Sequence, residues 1–168
     1  VGLVSMHLPA ILQDSGLEIQ IAAVYFGIML GIGISGRLLV GELSDRLKPR
    51  YIFIATGIGM AACVSLLFFL TVPAARAVFV TLYGIFQGAS ATLIPLMVHS
   101  LFGARVFGRI YGVLLLASAA SVAVGNYLGG YIYDRTSNYD LAITIAIIMG
   151  LSAAFLAFTA RIKNENTY

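Results

Sequence analysis

Charge is the scarcest thing in this sequence. Asp, Glu, Lys and Arg make up 10% of its 168 residues, against 60% hydrophobic residues. A soluble domain carries roughly a quarter charged residues, so this chain has too few to cover a water-facing surface of its own. Cysteine is nearly absent: Cys63 stands alone within an apolar run, which excludes a disulfide framework and leaves no metal-ligand spacing. No linker or low-complexity stretch sets off a second domain. No Walker loop and no nucleophile–base arrangement occurs, so neither a cofactor nor enzymatic chemistry is expected. The net charge of +3 gathers at helix ends and is not a nucleic-acid footprint.

What is present is apolar sequence in blocks: Ile19–Val40, Tyr51–Val72, Ala77–Leu101, Ile110–Tyr133 and Leu141–Ala160. About 20 residues of helix cross a hydrocarbon core of about 30 Å, so each block is a membrane span. Val1–Leu12 is about 18 Å of helix, too short to span. It lacks the basic flank and small-residue cleavage site of a signal peptide, and is expected to be the outer part of a helix that begins upstream. Asp14-Ser15-Gly16, Pro49, Pro73, Gly103 and Thr136-Ser137-Asn138 punctuate the blocks where turns belong. The expected fold is all-α: six helices in a lipid bilayer, the first of them truncated.

Orientation follows from the loops taken alternately. One side holds Arg46, Lys48, Arg50, Arg105, Arg109, Arg161 and Lys163, while the other holds only Arg76 and Arg135, beside Asp14, Glu18, Asp134 and Asp140. That bias puts the C-terminus in the cytoplasm and suits the plasma (inner) membrane.

A string is written twice. Shifting the chain by 89 residues lays Gly36, Leu39, Gly41, Asp45 and Arg46 on Gly125, Leu128, Gly130, Asp134 and Arg135. Such a shift spans three helices, an odd number, so the copies enter the membrane from opposite sides. An inverted three-plus-three repeat is the internal plan of half a secondary transporter. In the Gly41–Arg50 loop, Gly41 would let a neighbouring helix approach closely. Asp45, Arg46 and Arg50 would sit at the membrane edge as a gate latch, the alternative being a polar turn that anchors two helix ends.

This loop, Gly41-Glu-Leu-Ser-Asp45-Arg46-Leu-Lys48-Pro49-Arg50, resembles the signature loop of the major facilitator superfamily, departing from it at Lys48, where the family has glycine. The resemblance implies that the whole chain is the C-terminal half of a twelve-helix carrier. Helices eight to twelve would be complete, and a missing N-terminal half would be the partner. His7-Leu8-Pro9, Gly36-Arg37-Leu-Leu-Val-Gly41 and Phe107-Gly108-x-x-Tyr111-Gly112 further resemble the monocarboxylate transporter-like and oxalate/formate exchanger-like branch. In that branch the helix-eight arginine, here Arg37, pairs with the substrate carboxylate. Monocarboxylate carriers often carry an aspartate where this chain has Gly33, and oxalate exchangers a lysine near Ser118. One cation in this half therefore suits a monoanion, moved with a proton or exchanged for another anion.

Read from the residues alone, Arg37 is costly within a span and has a task there, or else it snorkels to cytoplasmic headgroups. Tyr83, Gln87 and Ser90 share one helix face, lining a cavity or bonding between helices. Gly84, Gly88, Thr92 and Pro95 form a parallel packing line. His7 is a cavity donor or a packing histidine, and Ser118 is a weaker candidate. No Asp or Glu lies mid-helix to carry a proton. Gly31-Ile-Gly33-Ile-Ser-Gly36 spells a dinucleotide fingerprint but lies within a span, without the strand the motif needs, so nucleotide binding is rejected. A drug efflux carrier and a non-transporting membrane scaffold remain the alternative functions.

Overall fold

The computed structural model describes residues 2–159, all in helices and short turns. In order they are α1 (Gly2–Asp14), α2 (Ile19–Arg46), α3 (Pro49–Ser65) running into a 3-10 turn (Leu66–Phe69), α4 (Pro73–Phe102), α5 (Ala104–Thr136) and α6 (Asp140–Thr159). Ile19–Arg46, Pro49–Phe69, Pro73–Phe102 and Ala104–Thr136 are long and apolar enough to cross a membrane. The start at Val1, the block end at Ala160 and the basic Arg161 and Lys163 lie outside the described residues.

The turns fall at the sequence breakers. Pro49 and Pro73 each open a helix at its first turn, where the missing N–H has no intrahelical partner to lose. Lys48 ahead of Pro49 is extended, as the proline ring demands of its predecessor. Gly103 is the whole α4–α5 connection, at φ 74°, a conformation in which a Cβ is strained.

The helices run further than the sequence blocks. The expected Gly41–Arg50 loop shrinks to Leu47 and Lys48, because nothing breaks the helix before Pro49. Arg46 reaches back to Glu42 at 3.1 Å, and Ser44 bonds the Val40 carbonyl at 2.6 Å. Gly41, Asp45 and Arg46 are therefore the last turns of α2, not a loop. The expected Gly103–Arg109 loop likewise becomes helix, with Arg105 and Arg109 in the first turns of α5.

Contact between helix backbones builds the bundle. Without water there is little hydrophobic gain in pairing two apolar helices in lipid, so close approach at small residues must supply the packing. Ala22, Met29, Gly33, Gly36 and Val40 form the buried stripe of α2, which packs mainly on α4. A Cβ on Gly84 would meet the Met29 carbonyl oxygen at 2.6 Å, a Cβ on Gly36 would strike that of Ile85, and one on Gly88 that of Gly33. The Gly31–Gly36 string is thus a helix-crossing surface in part: Gly33 and Gly36 face α4, while Gly31 has open space.

The second copy of the string also faces a neighbouring helix, but mainly against side chains and less tightly at Gly125. Gly125, the counterpart of Gly36, lies against Leu3, and Gly129 against His7 and Leu3. So α2 crosses α4, the first helix of the other repeat, and α5 crosses α1, the first helix of its own opposite. Each copy of the string also ends its helix. Arg46 turns back on Glu42 and Arg135 stacks its guanidinium 5.3 Å over Tyr131, each four residues upstream.

Candidate functional site

Three connections close one end of the bundle. Arg76, at the start of α4, donates to the carbonyls of Leu70, Thr71 (3.3 Å) and Ser15 (3.4 Å). It thereby ties the α3–α4 turn to the α1–α2 turn. On the other flank Tyr133 donates to Asp14 at 3.1 Å and stacks on Tyr139, ring centroids 4.6 Å apart. Burial first, then the negative charge of Asp14, pushes the Tyr139 phenol above its ordinary pKa. A cavity of about 410 Å³ opens here, lined by Asp14, Ser15, Thr71, Asn138, Tyr139 and Asp140 among others. None of the residues singled out from sequence as substrate contacts lines it.

His7 is part of this closure. Its Nε2 lies 3.1 Å from the Asn126 carbonyl, which can only accept, so Nε2 carries the proton. Nδ1 then accepts from the Tyr139 hydroxyl at 3.4 Å. Gly129 makes room beneath the ring, since a Cβ there would lie 2.8 Å from Nε2. His7 thus joins α1 to α5 and to the start of α6.

Deeper in the bundle, α1 meets the polar stripe of α4. Tyr83 is fully buried and its hydroxyl lies 3.2 Å from Ser5 Oγ. Gln87, one turn along, donates to the same Ser5 oxygen at 2.9 Å. Ser90 is half-buried and turned back on the Phe86 carbonyl at 2.9 Å. The structure therefore brings Tyr83 and Gln87 together through Ser5, leaves Ser90 beside them on the same face, and sets His7 apart, beside Asn126 and Tyr139.

Arg37 lies on α2 one residue past the Gly36 contact with α4, and its side chain is exposed. Arg37 has no carboxylate partner among the described residues. It is also the one Lys or Arg among them set deep in a helix: nine residues separate it from the end of α2. Ser118 is exposed on α5, a helix of 33 residues with only Gly129 buried. Asp45 is exposed, and the Arg46–Glu42 pair beside it is three-quarters and two-thirds exposed. Among the described residues, no neighbouring element lies within 4 Å of a Cβ on Gly41 or Gly130. The close helix approach expected at Gly41 is thus not made among the described residues; Gly36 and Gly88 make it instead.

Ser5, Asn126, Tyr139 and Arg76 were not singled out by sequence. A serine four residues ahead of Pro9 in an apolar run is the only local signal for Ser5, and its partners lie 78 and 82 residues away.

Comparison with known proteins gives the family. The family model for the Major Facilitator Superfamily matches residues 1–125. Monocarboxylate transporter 12-B of Danio rerio is 29% identical over 157 residues, covering 89% of this chain and 32% of that protein. Human monocarboxylate transporter 14 is 25% identical over 143 residues, covering 83% of this chain and 28% of that protein. The MFS transporter asaE of Aspergillus flavus is 28% identical over 150 residues, covering 88% and 34%. This chain spans about a third of the length of these relatives. With helices built to cross a bilayer and a family match over most of its length, the chain belongs to the Major Facilitator Superfamily of membrane transporters.

Proposed function

We propose that the chain is the six-helix C-terminal half of a secondary carrier that moves a small organic anion, a monocarboxylate, by alternating access. The reading rests above all on Arg37. A guanidinium deep in a spanning helix is expensive unless it faces water or protein, and its permanent charge and planar fork suit a carboxylate. Similarity to proteins named as monocarboxylate transporters supports the same ligand class. Gln87 and Ser90 on α4 and Ser118 on α5 extend the substrate path, while Tyr83 and His7 hold the helices that frame it. The other six-helix half completes the cavity, and the two halves rock about it. A coupled proton or an exchanged anion accompanies the substrate. The carrier sits in the plasma (inner) membrane with its C-terminus in the cytoplasm.

Uptake into vesicles by the full-length carrier tests this reading. Labelled lactate, formate and oxalate are supplied in parallel with cationic dyes. Saturable uptake of a monocarboxylate is the expected result. Dye transport without anion uptake makes the protein an amphipath efflux carrier, and no transport makes it a scaffold. Residues 1–168 expressed alone should insert with a cytoplasmic C-terminus and transport nothing, which a C-terminal reporter and the same uptake assay check together.

The end of α2 is proposed as the gate. Asp45 is exposed and Arg46 is engaged with Glu42 of its own helix, so a latch at Asp45 takes its partner from the other half. Arg50, at the head of α3, belongs to the same inner rim, and Gly130, Asp134 and Arg135 are the counterpart at the outer end of α5. In the full-length carrier, Asp45→Asn should lower turnover about fivefold or more and leave substrate affinity unchanged. A gate charge biases the conformational equilibrium without touching ligand. Turnover at the wild-type rate, with normal expression, would leave only the anchoring role.

A further inference from the structure

The seam between α1 and α5 is built unlike the crossing of α2 on α4. Where α2 meets α4, backbone lies on backbone, at Gly36 against Ile85 and at Gly88 against Gly33. Where α1 meets α5, side chains lie on glycines: Leu3 on Gly125, and His7 with Leu3 on Gly129. Hydrogen bonds from His7 to the Asn126 carbonyl and from Tyr133 to Asp14, each 3.1 Å, join the two helices, and the second of them is exposed.

The core does little to reinforce this seam. Val4 and Leu8 of α1 belong to a buried cluster with Met29 of α2, Met60 of α3 and Phe79 of α4. Gly129 is the only buried residue of α5, and that helix reaches the cluster with the partly buried Ile132 and Tyr133. Asn126, whose carbonyl receives His7, also has a buried Oδ1 with no hydrogen-bond partner among the described residues. A buried amide oxygen left unpaired is costly. Parting the seam lets water of the carrier's cavity reach that oxygen, so the closed form carries a cost that opening removes.

We propose that this seam is a moving joint: α5 parts from α1 and returns to it in each transport cycle, while α2 and α4 stay together. This rests on the carrier reading above and adds a movement inside this half to the rocking of one half against the other. Side chains seated on glycines can leave and reseat in the same register. The backbone crossing of α2 on α4 forfeits its whole close contact once it opens.

Disulfide trapping in the full-length carrier tests the joint. A Cβ built on Gly125 lies 3.7 Å from that of Leu3, within the range of about 3.5 to 4.5 Å that a disulfide spans. Leu3→Cys/Gly125→Cys, with every other cysteine including Cys63 replaced by alanine, should cross-link on mild oxidation. Uptake of labelled lactate should then fall about tenfold or more and recover on reduction, because a carrier held in one conformation cannot turn over. Ala61→Cys/Gly150→Cys is the control: its Cβ separation is 3.6 Å, it bridges α3 to α6, and its oxidation should leave uptake unchanged. Gly2→Cys/Val122→Cys, with 3.2 Å between Cβ atoms, bridges the same seam and replaces the first pair if that one does not reach the membrane. Unchanged uptake with the seam bridge formed overturns the joint. So does failure of both seam pairs to bridge, or an equal loss from the α3–α6 bridge. No lactate uptake by the wild type is a separate outcome, which overturns the carrier reading and the joint with it.

Discussion

Replacing Gly88 or Gly36 by alanine should unfold the α2–α4 pair, while the same change at Gly31 should not. The Cβ added at Gly36 runs into the Ile85 carbonyl and the one added at Gly88 into the Gly33 carbonyl, whereas Gly31 has nothing within 4 Å. The obstructing atoms are backbone, which cannot rotate out of the way as a side-chain tip would. The two helices must separate along their closest contact, and the cost falls at or above the upper end of overpacking, about 3 kcal/mol or more. Separation also forfeits the van der Waals contact that holds helices together in lipid. At Gly31 the sign reverses, because alanine in an open helix position is favoured over glycine by up to about 1 kcal/mol. Thermal unfolding of the chain in detergent micelles, wild type against the three variants, provides the check. Equal midpoints for Gly31→Ala and Gly36→Ala would mean that the glycine crossing does not hold this bundle together.

That contrast also marks how far the sequence could be read. Six helices, their order and their turns were legible because Pro49, Pro73 and Gly103 act locally: each acts through its own ring or its own missing Cβ. Gly84 and Gly88 were legible as a packing line, since their spacing alone puts them on one face. Helix ends were less so. Gly41 and Ser44-Asp45 read as a turn, yet Glu42, Leu43 and Arg46 are good helix formers, and the Glu42–Arg46 pair helps carry α2 to Arg46. Which glycines of α2 meet a neighbour was not legible. Gly31, Gly33, Gly36 and Gly41 read alike along the chain, and only the angle at which α4 crosses α2 separates the buried two from the open two.

The candidate site divides along the same line. The face shared by Tyr83, Gln87 and Ser90 is a property of one helix and follows from its period. Ser5 belongs to another helix, and its place between Tyr83 and Gln87 depends on the register of α1 against α4, which a single sequence does not encode. His7 shows the same limit: Gly129 and the Asn126 carbonyl that receive it lie more than a hundred residues away. The charge of Arg37 was legible from its isolation alone, because an arginine in an apolar run is conspicuous wherever its face points.

Arg37→Ala should abolish saturable anion binding by the full-length carrier, and Arg37→Lys should weaken it about five- to 150-fold. The difference between the two substitutions separates the possible roles of the side chain. If the guanidinium grips a carboxylate within the membrane, two parallel hydrogen bonds from a planar fork hold the ligand. Lysine keeps the charge but is a point donor, so it loses about 1 to 3 kcal/mol, the scale of a charge-assisted hydrogen bond. Alanine loses the charge as well. Neither change opposes insertion, since both remove or retain a charge that the bilayer already disfavours, and neither disturbs packing, because the Arg37 side chain is exposed and outside the α2–α4 contact. A guanidinium that only snorkels to cytoplasmic headgroups gives another pattern: lysine, whose stem also snorkels, substitutes fully, and anion affinity does not move. Calorimetric titration of the purified carrier with a monocarboxylate, at matched expression and detergent, reads both variants against wild type. Wild-type affinity in Arg37→Lys would place this arginine at the membrane interface and remove the anchor from the proposed anion site.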